Sequence, residues 1–340
     1  MQAVVLSAVR RPELISLPEP ETGPRQVKLR VDYCGICGSD LHAETFDLFQ
    51  VGVTMGHEFS GRIVEIGSEV RGWSLGERVC VNPNGATCGQ CESCRSGHFN
   101  LCPEALRNSV GVVTPGGFAE FVAVDARTLH RLPETVSPMQ GAWVEPASVA
   151  LHAVRRSGIQ VGDEAIVFGA GPIGLLVLLM LRLAGAGAVT VVEPNAARRE
   201  KAQACGADRV IDPRESAPEA DLLAGQVRPR FAFDCVGSRT VVESAVRLLP
   251  PRGCLTIVGV AQHPIGFSPT EFLFREIEIR GSFIYNEEFA QTISLMASGK
   301  LDISSLTSGV RPLAEAVAAI DEMRAGGGII KYLIATGGEG

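Results

Sequence analysis

The sequence predicts a two-domain α/β protein, a mostly β first part followed by a doubly wound parallel sheet. Three observations predict it. Up to about residue 150, β-branched runs are broken by Gly and Pro, the mark of short strands joined by turns. From Asp163 onward, apolar runs alternate with helical segments, the pattern that builds a parallel sheet with helices on its faces. The length of 340 residues is long for one hydrophobic core and comfortable for two.

Taken in order, the first part predicts strands at 26–33, 61–66, 78–82 and 118–124. Pro133, Pro138 and Pro146 mark its far edge, followed by a helix over about 147–157. Strands are then expected at 165–168, 189–193, 209–212, 231–234, 254–260 and 277–281, with helices at 173–183, 196–205 and 240–249. The tail predicts helices at 288–298 and 313–324 and a last strand at 332–335. The domain boundaries expected are 1–150 for a catalytic domain, 151–285 for a nucleotide domain and 286–340 for a C-terminal segment.

Apolar residues make up 46% of the chain, enough for a sizeable core, and the formal charge is −7. Such a mildly acidic protein has no general field for nucleic acid or anionic lipid. The start turns basic only after its apolar stretch, the reverse of a signal peptide. The apolar stretch 173–181 is too short for a bilayer, which needs about 20 residues. The expectation is a cytoplasmic protein with no membrane partner.

The 10 cysteines are most informative where they cluster. Cys88, Cys91, Cys94 and Cys102 offer four thiols in one short loop, within an expected lobe at about 84–103. Zinc takes four sulfur ligands tetrahedrally, and a set closed in this way is a structural site. Thr87, Gly89, Gly97 and Pro103 supply the turns such a loop needs. Free thiols, two disulfides or an iron–sulfur cluster are the competing readings. Cys205, Cys235 and Cys254 stand singly in apolar or strand-like surroundings and read as packing.

Gly169, Gly171, Pro172, Ile173 and Gly174 belong to a G-x-G-x-x-G loop that follows the apolar strand AIVF and opens a helix. That context points to a dinucleotide, with backbone approaching pyrophosphate at a helix N-terminus. Glu193 ends the next strand, at the spacing where an acidic side chain takes the adenosine ribose hydroxyls. A carboxylate there repels a 2′-phosphate, so NAD is expected over NADP. Arg198 weakens that preference slightly; it reads as a solvated helix residue or one stacked on adenine.

Cys37 in CGICGSD, His57 and Glu58 in MGHEFSG, and Glu145 in WVEPASVALHA each have a bland explanation alone. Together, and in order with CGICGSDLH, GHEFSGRIVEIG, the four-cysteine lobe, GGFAEFV, EPASVALHA and GAGPIG, they resemble the zinc-containing medium-chain alcohol and polyol dehydrogenases. The resemblance covers essentially the whole chain. It implies a GroES-like catalytic domain to which the C-terminal segment returns, a Rossmann cofactor domain, an active site between the two, and two zincs per chain. It implies that Cys37 and His57 bind the catalytic zinc, rather than Cys34. Glu58 is implied as an exchangeable ligand and Glu145 as the remaining zinc-side ligand. Asp40 is implied as the carboxylate that orients the His57 ring. Ser39 is implied as the hydroxyl contacting the substrate oxygen and His42 as the base at the outer end of a proton relay. Backbone around Val258, Ser282 and Ile284 should line the nicotinamide, and Lys331 should stand near the cofactor phosphates.

The activity so implied is hydride transfer between NAD and a secondary alcohol, or the matching ketone, in a homodimer or homotetramer. The branch resembled is that of sorbitol and butanediol dehydrogenases. Sorbitol-type members carry Tyr after the relay histidine, where Ala43 stands here, and Arg-Tyr where Ile284 and Tyr285 stand. Isoleucine donates nothing to polyol hydroxyls, so a short vicinal diol, a deoxygenated polyol or a partly apolar alcohol is expected. Trp73 and Trp143 read as core residues or as walls of the substrate cleft. L-threonine or a sugar phosphate is the alternative substrate, and a non-catalytic nucleotide-binding protein is the alternative of another class.

Overall fold

The computed structural model describes residues 1–44, 48–224, 227–261 and 264–337. They form two compact units: Met1–Glu145 together with Phe289 onward, and Pro146–Glu288. The fold is α/β in the sense expected, with a mostly β unit and a parallel-sheet unit.

The first unit opens on an antiparallel hairpin, Gln2–Leu6 with Pro12–Ser16. Its main sheet runs in the order Thr307–Pro312, Lys331–Ala335, Gln26–Gly35, Glu58–Ile66, Arg78–Val81 and Leu129–Arg131, with Phe121–Asp125 also pairing Gln26–Gly35. Alternate residues of these strands, among them Val27, Leu29, Val31, Ile63, Val79, Val81, Val122 and Val124, are buried in one core. Period-two burial is what strands packed on one face produce. The tail closes the sheet: Lys331–Ala335 pairs antiparallel with the end of Gln26–Gly35, Leu333 opposite Gly35. That register carries Lys331 to the loop holding Cys37, where the Ile36 amide donates to the Tyr332 carbonyl at 3.1 Å.

The second unit is a six-stranded parallel sheet in the order Arg209–Ile211, Ala188–Val192, Glu164–Phe168, Phe231–Asp234, Cys254–Ile257 and Glu278–Gly281. The strand order reverses beside Glu164–Phe168, which opens a crevice at the carboxyl ends of the strands, the usual ligand position in open α/β sheets. The helix Pro172–Leu183 is apolar on nearly every face and is largely buried against this sheet. Its first helical residue is proline, pre-set for the helical φ.

Two differences from the sequence-based expectation have simple causes. The strand expected at 254–260 ends at Ile257, because the Val258 and Gly259 amides both turn to the Asp234 carbonyl, at 2.9 and 2.8 Å. The strand Thr307–Pro312 was not expected; its Gly and Pro disguise it, and pairing with Lys331–Ala335 creates it.

Candidate metal and cofactor sites

The four-cysteine lobe is built from short turns. Backbone amides of Cys88, Cys91 and Cys94 donate to the sulfurs of Cys102, Cys88 and Cys91, each at 3.4 Å. The Cys88 sulfur lies 4.0 Å from that of Cys94 and 3.7 Å from that of Cys102. Tetrahedral zinc with Zn–S near 2.3 Å requires sulfur–sulfur edges of about 3.8 Å. The spacing fits that ion and excludes disulfides, and all ten cysteines are free. Burial raises the Cys102 thiol, but amides of Cys88, Ala105 and Glu104 outweigh it and bring it down to about 6, so a thiolate ligand is readily available.

The second donor set gathers Cys37, His57 and Glu58, whose ligand atoms lie within 4.8 Å of one another. Cys37 follows the strand Gln26–Gly35, and His57 immediately precedes the strand paired with it, which Glu58 begins. Gly56 precedes His57 at φ +91°, and a Cβ there would lie 2.7 Å from both the Cys34 sulfur and the Phe118 amide nitrogen. Only glycine permits that approach. Asp40 is fully buried; its Oδ2 accepts the Cys37 amide at 2.8 Å, and its Oδ1 lies 3.8 Å from His57 Nδ1. Neither Asp40 Oδ1 nor His57 Nδ1 has a hydrogen-bond partner among the described residues.

Glu145 stands outside that trio but feels its charge. Burial, then the charge of Glu58, pushes its carboxyl up to about 7. Burial also pushes Asp40 up to about 6, against the pull of His57. Burial alone would lower the His57 ring, yet Cys37, Asp40 and Glu58 hold it well above its ordinary value. A half-buried thiol with a buried imidazole and three buried carboxyls calls for positive charge. A divalent cation would supply it, so the residues fit a catalytic zinc.

Lys331 is placed differently from the expectation. It is 1% exposed, its Nζ donates to the Ile36 carbonyl at 3.0 Å and to Glu58 Oε2, and it lies 5.4 Å from the Trp143 ring centroid. An ammonium so enclosed and paired is not available to a phosphate. The correction assigns Lys331 to the Glu58 carboxylate. The two tryptophans separate likewise. Trp143 is fully buried, its Nε1 bonded to Thr307 Oγ1 at 3.0 Å, whereas Trp73 lines a surface groove with Arg131 stacked 4.1 Å over its ring. Ala43 is also buried in the core of its unit.

Ser39 is half-buried at the start of the 3-10 turn Asp40–His42, and His42 is exposed at its end. In the second unit, Gly169 takes φ +93°, and a Cβ on Gly174 would lie 1.9 Å from the Gly169 carbonyl oxygen. Gly171 differs: a Cβ there would meet only Arg198 Nη1, at 4.0 Å, so the outer face of the loop is open, as a pyrophosphate cradle must be. Glu193 is buried and accepts the Ala170 and Asn195 amides, both at 2.8 Å. Each carboxylate oxygen keeps a second lone pair for a ribose hydroxyl. The Val258 and Ser282 amides are engaged within the fold, at 2.9 Å each, while Ser282 Oγ is buried with no partner among the described residues. Ile284 has φ +44°, a rare conformation for a β-branched residue. These features fit a dinucleotide on this face of the sheet.

Comparison with known proteins agrees with this geometry. The family model for the alcohol dehydrogenase GroES-like domain matches residues 23–134, and that for zinc-binding dehydrogenase matches 172–298. The chain is 36% identical to a 2-dehydro-3-deoxy-L-galactonate 5-dehydrogenase from Pseudoalteromonas atlantica over 89% of each chain. It is 36% identical to the (R,R)-butanediol dehydrogenase of Bacillus subtilis, covering 86% of this chain and 87% of the other. To sheep (Ovis aries) sorbitol dehydrogenase it is 33% identical, covering 93% and 91%. Among solved structures, one described as a zinc-binding dehydrogenase from Sinorhizobium meliloti, bound to NADP, superposes with a TM-score of 0.91 at 34% identity over 98% of each chain. The 2R,3R-butanediol dehydrogenase structure from Bacillus subtilis gives 0.90 at 32% identity over 99% of each.

Proposed function

Because the chain belongs to the zinc-containing medium-chain alcohol and polyol dehydrogenase family, we propose that it transfers hydride between NAD and a secondary alcohol, a short vicinal diol or partly apolar alcohol. The observation that carries this reading is the set of half-buried Cys37 with buried His57, Glu58 and Glu145, and Asp40 and Lys331 around it. A non-catalytic nucleotide-binding protein has no use for such a set, because burying it is costly unless a bound cation and its chemistry repay the cost.

When bound, zinc supplies the Lewis acid that makes an alcohol acidic near neutral pH, and NAD supplies the hydride acceptor. Cys37 and His57 would hold the metal, with Glu58 or Glu145 completing the protein ligands. Asp40, whose Oδ1 lies 3.8 Å from His57 Nδ1, would orient that ring once the metal is held. Lys331 holds Glu58 by one oxygen. Ser39, half-buried, would accept the alcohol proton, and His42, exposed to water, would release it.

The substrate class rests on the residues that differ from sorbitol-type enzymes. Ile284 offers no donor to a long polyol, and the named relatives include one acting on butanediol, whose two hydroxyls are adjacent. A sugar phosphate is disfavoured, since Lys331 is already paired with Glu58. Glu193 favours NAD. The NADP-bound relative and the nearness of Arg198 to Gly171 make NADP the second cofactor to assay. We also infer a homodimer. The strand Glu278–Gly281 is an edge of its sheet, and on the helix leading into it Leu273 and Phe274 are 72% and 80% exposed. An unpaired edge with an apolar flank is a pairing surface for a second copy.

The test follows reduced nicotinamide by absorbance, with NAD and NADP, across butanediol stereoisomers, straight-chain secondary alcohols, sorbitol, galactitol and L-threonine, each before and after zinc chelation. Chelator-sensitive turnover of a diol with NAD supports the proposal. Absence of turnover in protein whose Cys37–His57 site takes up no zinc would overturn it.

A further inference from the structure

The single 3-10 turn Asp40–His42 carries both proposed proton-transfer residues, and a turn this short does not hold its own geometry. Its amino end is tied to the metal loop by the bond from the Cys37 amide to Asp40. Inside the turn, the His42 amide bonds the Ser39 carbonyl at 3.1 Å and the Ala43 amide bonds the Asp40 carbonyl at 3.4 Å. The carbonyls of Leu41, Ala43 and Glu44 face outward from this ladder, and two arginines from opposite ends of the chain take them. Arg10 donates from Nε to the Glu44 carbonyl at 3.1 Å and from Nη2 to the Ala43 carbonyl at 3.0 Å. Arg324 donates from Nε to the Leu41 carbonyl at 3.0 Å, and its Nη2 lies 3.2 Å from Glu44 Oε1.

Arg10 reaches this position from a strained backbone. It sits in the turn of the first hairpin at φ +58°, a left-handed conformation that glycine adopts more readily than a residue with a Cβ. The hairpin turn itself closes through backbone, the Arg10 amide to the Ser7 carbonyl and the Ser7 amide to the Arg11 carbonyl, both at 2.8 Å. Those two bonds are available to glycine as well. Among the described residues, the Arg10 guanidinium bonds the carbonyls of Ala43 and Glu44, just after the relay turn.

We propose that Arg10 and Arg324 are positioning residues for proton transfer, clamping the carboxyl end of the turn so that Ser39 and His42 keep their places. This rests on the reading of Ser39 and His42 as the proton route. The test uses zinc-loaded full-length enzyme carrying Arg10→Gly, Arg10→Lys, Arg324→Ala, His42→Ala, and Arg10→Gly with His42→Ala. Arg10→Gly relieves the strained φ, so its melting temperature should hold or rise and its zinc content should not change. Its kcat should nonetheless fall about tenfold with KM little altered, a fraction of the full worth of a placed acid–base group. Arg10→Lys should recover part of that loss. Hydrogen exchange over 39–44 should quicken in both Arg10→Gly and Arg324→Ala, with that of 58–66 unchanged. Added to His42→Ala, Arg10→Gly should cost little more, as expected when one residue acts through the other.

If the wild type turns over a diol, and Arg10→Gly and Arg324→Ala match it in kcat and in exchange, the clamp is refuted and the dehydrogenase reading stands. Fully additive losses in the double variant would also refute it. If His42→Ala is as active as the wild type, the proton route through His42 fails and the inference falls with it, while hydride transfer at the zinc remains in force.

Discussion

Lys331 shows how one side chain's burial decides its role. Its charge is 1% exposed and faces Glu58, itself 1% exposed, so neither ion has water to fall back on. Breaking such a pair leaves the other charge stranded, at about 3–5 kcal/mol. Lys331→Met should therefore lower stability by that amount in urea unfolding, while NAD affinity measured on the folded protein stays near that of the wild type. A role at the cofactor phosphates would give the opposite result, weak NAD binding with stability intact. Gly56 makes a comparable point through backbone. Alanine there would be held at φ +91° against Phe118 and Cys34, and strain of this kind costs about 1–3 kcal/mol before any clash. Gly56→Ala should unfold earlier and bind less zinc at Cys37 and His57, leaving zinc in the four-cysteine lobe unchanged. Loss of lobe zinc instead would separate Gly56 from the His57 site.

At the scale of elements, the two proposed metal sites are independent pieces of local structure. The four-cysteine lobe has its own small core of Cys94, Cys102 and Ala105. Cys102→Ser should reduce metal analysis from two zincs to one per chain and destabilise the lobe, with the retained zinc still removable only in parallel with loss of activity. The helix Glu288–Ala297 is anchored at its start by a different device. Burial would raise the Glu288 carboxyl, but the His152 ring, 3.2 Å away, and the Asn286 amide, 2.7 Å away, bring it down to about 2. The unfolded chain titrates this group near about 4.3, so the folded state binds its proton more weakly. The stabilisation is thus complete above about pH 5 and is lost as pH falls through 4.3 toward 2. Glu288→Gln should be less stable than wild type at pH 7, with the gap narrowing below about pH 4 and closing only below about pH 2. A gap independent of pH would show that the charge on Glu288 is not what anchors the helix.

On the scale of the whole molecule, each unit has a core of its own, and the chain leaves the first unit after Glu145 and re-enters it at Phe289. The return matters because it delivers Lys331 and Arg324 to residues near the amino end, beyond the reach of any local turn. In the second unit the open edge at Glu278–Gly281 sets the expected assembly. Phe274→Asp with Leu273→Glu should shift the protein from dimer to monomer in sedimentation, with zinc content unchanged. A wild type that sediments as a monomer at micromolar concentration would rule out this interface.

Much of the molecule was legible in the sequence because the relevant spacings are short. The cysteines of the lobe span 88–102, and the glycine loop lies between a strand and the helix it opens, so local geometry follows from local order. The four inner parallel strands were legible from their apolar runs, since a strand buried on both faces cannot be polar. The strand Thr307–Pro312 was not legible, because its residues become a strand only by pairing with Lys331–Ala335. The position of Lys331 was not legible either: 273 residues separate it from Glu58. The same holds for Arg10 and Arg324, ordinary surface residues in sequence that meet on the carbonyls of Leu41, Ala43 and Glu44. By itself the sequence determined the fold class, the four-thiol lobe, the nucleotide loop and which residue types could hold a metal. Only the tertiary structure decided which charges face one another, because sheet register and chain return, not spacing along the chain, set the distances over which buried charges act.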